Sequence, residues 1–338
     1  MKSTTVFLVF FGTFWTLLIG AMDTFFVRRL VQQAVSMNYP SVEGRITHSE
    51  LTVHRGSKGG NTYGVNIAYS YEVSGRTFEG NRYRFTEGSS SDSAWAQKAL
   101  ATFHTGAAAK VYYRPDDPGV ALLEPGVDGS DLIFVLFGLP FNTVALAFLR
   151  AACARMLRVV FGKADEPEGL RSVLGSGEQR VSLSQLAVFD AGLAGMGGAG
   201  FVLTFATILG FGGFHPPTTI AAGGISIAVC VGVACALWHW ARLRSCRFDL
   251  VVNRLDGRIE IPACQGRKQA MSIPTSRIHD VSVEEVVQRT SKGGKSVTYV
   301  PTLHLGAPNE TVSLATWYSA GRASRLAAWL KRVLTGES

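Results

Sequence analysis

The chain has 338 residues and a net charge of +8, and only 17% of its residues are charged; a soluble protein usually carries about 25%. Its mean hydropathy is +0.18, and the missing charge is concentrated in four apolar stretches at 5–27, 132–150, 187–212 and 218–240. The basic excess flanks those stretches, so anionic lipid headgroups are its natural counter-charge and nucleic acid is excluded as the expected partner.

A run of about 20 mostly apolar residues crosses a bilayer as a helix. The sequence therefore predicts a multi-pass α-helical membrane protein with four spans and two small β-rich extramembrane domains. The first span takes residues 1–27. It is too long for a cleaved signal peptide and reads as a retained anchor. Asp23 lies near its end, within reach of Arg28.

Residues 28–130 read as a β-domain. In 63–73, Val65, Ile67, Tyr69, Tyr71 and Val73 recur at period two, the mark of a half-buried strand. A strand at 41–53 precedes it across a flexible loop at 56–61. Ser74 and Gly75 then turn into a third strand over 76–85. A short helix over 92–103, capped by Ser91 or Asp92, and strands at 110–113 and 120–123 complete the domain. His48, His54 and His104 have no spacing that forces a metal site, and Asp116 and Asp117 between two prolines read as turn residues.

The second span takes 131–150 and carries Asn142 just after Pro140. Residues 151–186 read as a basic loop holding Arg155, Arg158, Lys163, Arg171 and Arg180. Residues 187–240 read as a helical hairpin, with Asp190 near its start. Intramembrane ionisable or amide groups are the default functional positions, which singles out Asp23, Asn142 and Asp190. Small residues recur at four-residue spacing: Gly195 and Ala199 in the third span, and Gly224, Ala228, Gly232 and Ala236 in the fourth. Such ridges let helices approach closely, here within the hairpin, or toward a partner or second copy.

Short basic loops stay in the cytoplasm. That places 151–186 inside, 28–130 outside, and both termini inside. The five cysteines have neither zinc-ligand nor redox-motif spacing. They read as small packing residues in a reduced compartment.

Residues 241–338 read as a cytoplasmic β-domain, a barrel or sandwich closed by a helix over 319–334. Asp256-Gly257 marks a hairpin between strands at 247–253 and 258–261. Further strands are expected at 278–288, 297–305 and 311–317. The helix carries Ala323, Leu326, Ala327 and Leu330 on one stripe and Arg322, Arg325, Lys331 and Arg332 opposite. Residues 291–296 end like a phosphate-binding loop. Position 289 is arginine where the motif needs glycine, and a strand follows where it needs a helix. Lys292 and Lys295 are left as residues of a solvated turn or as lipid-headgroup contacts.

Two resemblances follow. Gly44-x-Ile46, Tyr69-x-Tyr71-x-Val73-x-Gly75, Gly106, Val111-Tyr112-Tyr113-x-Pro115-x-x-Pro118 and Leu123-Glu124-Pro125-Gly126 run in order over about 40–150. This pattern resembles the domain-of-unknown-function family 3592. The resemblance implies a bacterial membrane-anchored β-domain, hence the bacterial inner membrane, and assigns no activity. Over 246–338, strands followed by one helix are similar in order to a pleckstrin-homology-like domain, which implies binding of a protein or lipid headgroup.

No catalytic, cofactor or metal motif is present. The sequence is read as a non-enzymatic scaffold or assembly protein with the bilayer, other membrane proteins or itself as partners. The alternatives are a small transporter or channel subunit, and a membrane enzyme of unrecognised site.

Overall fold

A computed structural model describes residues 3–55, 60–86, 88–162, 165–172, 177–211, 213–289, 295–306 and 310–336. Four of its helices are long and apolar enough to cross a membrane: α1 (Ser3–Val35), α3 (Gly129–Val160), α4 (Val188–Gly210) and α5 (Thr218–Arg244). The chain divides into two compact units. One is Met1–Leu149 with Gly192–Ala234; the other is Arg150–Ala191 with Cys235–Ser338.

In the first unit, strands β1 (Ser41–Arg55), β2 (Asn61–Val73), β3 (Arg76–Gly80), β4 (Ala108–Arg114) and β5 (Asp117–Leu122) form one antiparallel sheet, ordered β3-β2-β1-β4-β5. Period-two alternation turns Ile46, Ile67, Tyr69, Tyr71 and Val111 into one buried face. The short helix α2 (Ala94–Thr102) packs on β1 and β2. Asp92 accepts from the Ala94 amide at its start, at 2.9 Å, while Ser91 makes no such cap. Gly44 is required by close approach, since a Cβ there would fall 2.7 Å from the Ser70 carbonyl oxygen.

The third strand ends at Gly80 and not at 85. Gly80 lies flat against the Tyr69 ring, where a Cβ would sit 2.5 Å from it. The chain then leaves the sheet, and Arg84 and Phe85 reach the helix ends. The loop expected at 56–61 falls mostly on 56–59, outside the described residues.

Helix α1 packs on α3 through stacked rings, Phe26 on Phe134 with centroids 5.3 Å apart and Trp15 on Phe141 at 6.0 Å. Against α3, helix α5 turns Gly224, whose Cβ would lie 2.9 Å from Leu136. Helix α4 turns Gly197 toward Thr143 and Gly200 toward Leu139. Helices α4 and α5 meet at Gly232, where a Cβ would lie 2.8 Å from that of Met196 and 3.0 Å from the Gly192 carbonyl oxygen. A larger side chain must push these backbones apart, so Gly232→Leu should lose roughly 1–3 kcal/mol. Thermal unfolding in detergent reads this, with Ser226→Leu on an exposed face of α5 as the neutral control. Equal unfolding temperatures for both variants would deny the contact.

In the second unit, the segment read as a loop at 151–186 is something else. Helix α3 continues to Val160, and residues 171–182 supply strands β6 (Arg171–Ser172) and β7 (Glu178–Ser182). These pair with β8 (Asp249–Asn253), β9 (Arg258–Ile261) and β10 (Met271–Pro274) in the order β10-β9-β8-β7-β6. A second sheet, β11-β12-β13, is made of Ile278–Arg289, Lys295–Leu305 and Thr311–Ser313. Neither sheet closes, so the barrel is not formed. Two open sheets and α6 (Ala320–Thr335) share one core, with Val181, Leu250 and Ile259 from the first sheet, Val281 and Leu303 from the second, and Leu326 and Leu330 from the helix. The β7 strand was missed because only Val181 of its five residues is fully buried, leaving no alternation to read. Asn253 holds the Asp256-Gly257 turn through the Leu255 and Asp256 amides, and Gly257 takes the positive φ of +59° that the turn requires. Ser319 caps α6 by accepting from the Arg322 amide.

Candidate functional site

A dense polar cluster lies where the first β-domain meets the ends of α1 and α3. Helix α1 runs past Arg28 to Val35, because its last turns are gripped by the loops that leave the sheet. The fully buried Gln33 donates to the Glu124 and Gly126 carbonyls at 2.8 Å and accepts from the Phe85 amide at 2.9 Å. Arg29 donates to the Phe85 carbonyl at 2.6 Å. Leu123-Glu124-Pro125-Gly126 is thus the connecting piece of this junction, with Gly126 at φ +86°.

Arg84 sits at the centre with 7% of its side chain exposed. It donates to Asp131 at 2.9 Å and to the Gly126 carbonyl at 2.7 Å, and pairs with Asp128 at 3.1 Å and Glu124 at 3.5 Å. Asp128 precedes α3 and accepts from the amide and hydroxyl of Ser130, at 2.9 and 2.6 Å. Asp131 lies in the first turn with its side chain fully buried. Carboxylates at a helix N-terminus complement its free amides. Arg84 then supplies the counter-charge that makes their burial tolerable.

Beside this node is a cavity of about 390 Å³, lined by Tyr83, Arg84, Trp95, Lys98, Glu124 and His215 among others. Its size falls in the usual range of ligand sites, roughly 300–1,000 Å³. His215, in the turn between α4 and α5, stacks on Trp95 with centroids 4.0 Å apart and planes at 8°. Burial, and then the charge of Glu124, push the Tyr83 hydroxyl above its usual range, so it stays protonated.

Burial pushes the His215 imidazole down to about 4, against about 6.5 in an unfolded chain. As pH falls below about 6.5 the unfolded state takes up the proton first, so this residue removes stability between pH 6.5 and 4. His215→Phe, which keeps a ring against Trp95, should flatten that part of the stability–pH curve. Parallel curves for the two proteins would mean that His215 is not held neutral.

A second cavity, of about 420 Å³, lies between α1 and α3 and is walled by Trp15, Ile19, Phe26, Phe134 and Leu139 among others. Asp23 and Asn142 both border it and are brought together, the Asn142 amide donating to Asp23 at 3.1 Å. Asp23 lies well inside α1, and its partner is Asn142 where the sequence pointed to Arg28. Asp190 is elsewhere, in the second unit, paired with Arg150 at 2.6 Å.

The small residues divide by face. Gly224, Ala228 and Gly232 are buried; Gly195, Ala199 and Ala236 are half-buried. Lys295 is exposed and opens β12, opposite Arg289. Lys292 lies outside the described residues.

The second unit has its own charged hub. Glu168 meets Arg158 at 2.6 Å, Arg325 at 3.0 Å and Arg322 at 3.4 Å. Burial alone would raise its carboxyl, but the three guanidiniums hold it below the usual range. Arg322 also lies over the Trp317 ring at 4.4 Å. Ser184 and His239 form a buried pair at 3.2 Å. Both are also bonded to the Leu186 carbonyl, at 2.9 Å each. Among the described residues no cluster of three or more His, Cys, Asp or Glu could hold a metal ion.

Sequence reasoning missed Arg84, Asp131, Trp95 and His215, which are distant in the chain and converge only in the fold. The available signals were a buried-type motif ending in Glu124-Pro125-Gly126 and acidic residues opening an apolar span. No curated protein and no solved structure matches the chain. Residues 42–128, which carry the five-stranded sheet, α2 and Arg84, match the family model described as Domain of unknown function (DUF3592).

Proposed function

We propose that the chain is a non-enzymatic integral membrane protein that links an exported β-domain to a cytoplasmic one, as a scaffold or assembly partner. The reading rests on the Arg84 node. Its groups pair with each other and with backbone carbonyls, which fixes the β-domain to α1 and α3. The Glu168 hub does the same for α3 and α6 in the second unit. Small-residue contacts among α3, α4 and α5 suit a packed helix bundle better than a path for ions. The apolar wall beside Asp23 and Asn142 does not favour a transporter.

The charge pattern supports residues 28–130 outside a bacterial inner membrane and both termini inside. An impermeant thiol reagent in intact cells should then label Thr47→Cys and spare the exposed native Cys153 and Cys246. Labelling of the native cysteines would reverse the orientation. Cross-linking in membranes followed by purification of the full chain should return a specific protein, or a second copy, in stoichiometric amount. Recovery of none, with no phenotype on deletion, would sink the scaffold reading.

A further inference from the structure

We propose that the first unit holds one phospholipid with a zwitterionic aminoalkyl head, its head in the polar cavity and one acyl chain in the apolar cavity between α1 and α3. The two cavities adjoin. Thr86 lines both, and Asp131, which lines the apolar one, is bonded to Arg84, which lines the polar one.

The dimensions suit a chain from one leaflet. From Asp131 to Asn142, both on the cavity wall, α3 rises about 16 Å at 1.5 Å per residue. That is about half of the ~30 Å hydrocarbon thickness of a bilayer. The wall over this length is apolar and aromatic, and it belongs to two helices that are themselves candidate spans.

The junction is also short of hydrogen-bond partners. Arg84 Nε, Asp131 Oδ1, Thr86 Oγ1, Trp95 Nε1 and His215 Nδ1 are buried and have none among the described residues. Buried polar atoms are paired in nearly all native structures, so several in one place call for an explanation. Arg84, Thr86, Trp95 and His215 all line the polar cavity, so the shortage is concentrated around it.

Charge selects the head. Arg84 faces three carboxylates, Glu124, Asp128 and Asp131. Glu124 and Asp128 line the polar cavity and are partly exposed, so an ammonium group there meets two carboxylates. Lys98 lines the same cavity and is a donor for phosphate oxygens. Both signs in one cavity fit a zwitterion better than an anionic head. This inference stands apart from the scaffold reading, since either can fail alone.

The test uses the full chain, stripped of lipid in detergent and examined by native mass spectrometry with three added lipids: an ethanolamine phospholipid, an anionic glycerol-headed phospholipid and a diacylglycerol. One ethanolamine phospholipid should be retained per chain, at least 10-fold over the other two. Gly138→Leu and Met22→Trp fill the apolar cavity from α3 and α1 respectively. Each should lower retention at least 10-fold, with the unfolding temperature recorded beside it. Lys98→Glu, at an exposed position on α2, should lower it several-fold. Equal retention of the three lipids, or preference for the anionic one, overturns the assignment of the head. Unchanged retention in both folded cavity-filling variants overturns the site.

Discussion

Arg84→Met should destabilise the first unit by about 3–5 kcal/mol, the range found when one partner of a buried ion pair is removed. Methionine matches much of the length and bulk of arginine, so the packing loss is small and the electrostatic loss dominates. Asp131 is left fully buried with its counter-ion gone, and the Gly126 carbonyl loses a donor. Adding Asp131→Asn to the same chain should recover part of the loss, because the uncompensated charge is then absent. Thermal or denaturant unfolding in detergent, followed by near-ultraviolet circular dichroism of the aromatic cluster, reads both effects. If Arg84→Met unfolds with the wild-type protein, the node contributes nothing to holding the β-domain on its helices, and the structural support for the scaffold reading falls with it. A double variant no better than the single one would shift the cause from charge to lost hydrogen bonds.

Leu326→Asp should abolish cooperative folding of the second unit. Leu326 is 1% exposed and lies in one core with Leu250, Leu303 and Leu330. Losing a buried leucine side chain costs about 2–5 kcal/mol. An unpaired carboxylate in its place costs more still. The sum rivals the whole stability of a domain, about 5–15 kcal/mol. The experiment needs the full chain, because a fragment beginning at 246 lacks β6 and β7 and leaves β8 as a bare edge. Leu255→Asp is the control, at a turn position 77% exposed. Retention of the wild-type transition by Leu326→Asp would remove α6 from the core.

What the sequence determined by itself is what local chemistry decides. Helix length against bilayer thickness gave the four span candidates. Alternation at 63–73 gave β2, and Asp256-Gly257 gave its hairpin. The stripe of Ala323, Leu326, Ala327 and Leu330 gave the buried face of α6. Each signal lies within one segment, so one segment suffices to read it. The ordered motifs from Gly44 to Gly126 were legible for the same reason, and they lie within the range of the family match, 42–128.

Tertiary structure decided what depends on residues far apart in the chain. Arg84 becomes the centre of the site only because β3 stops at Gly80 against the Tyr69 ring and the chain crosses to the head of α3. Asp23 meets Asn142, 119 residues away, because stacked rings bring α1 onto α3. His215 meets Trp95 only when the turn between α4 and α5 lies over α2. Strand β7 exists because β8 offers it an edge, and β6 pairs on β7 in turn; their own residues, mostly half-exposed or exposed, carry no periodicity that demands a strand. Pairing energy across a sheet and the compensation of buried charge are properties of the assembled pair, and no single stretch of this chain contains both halves.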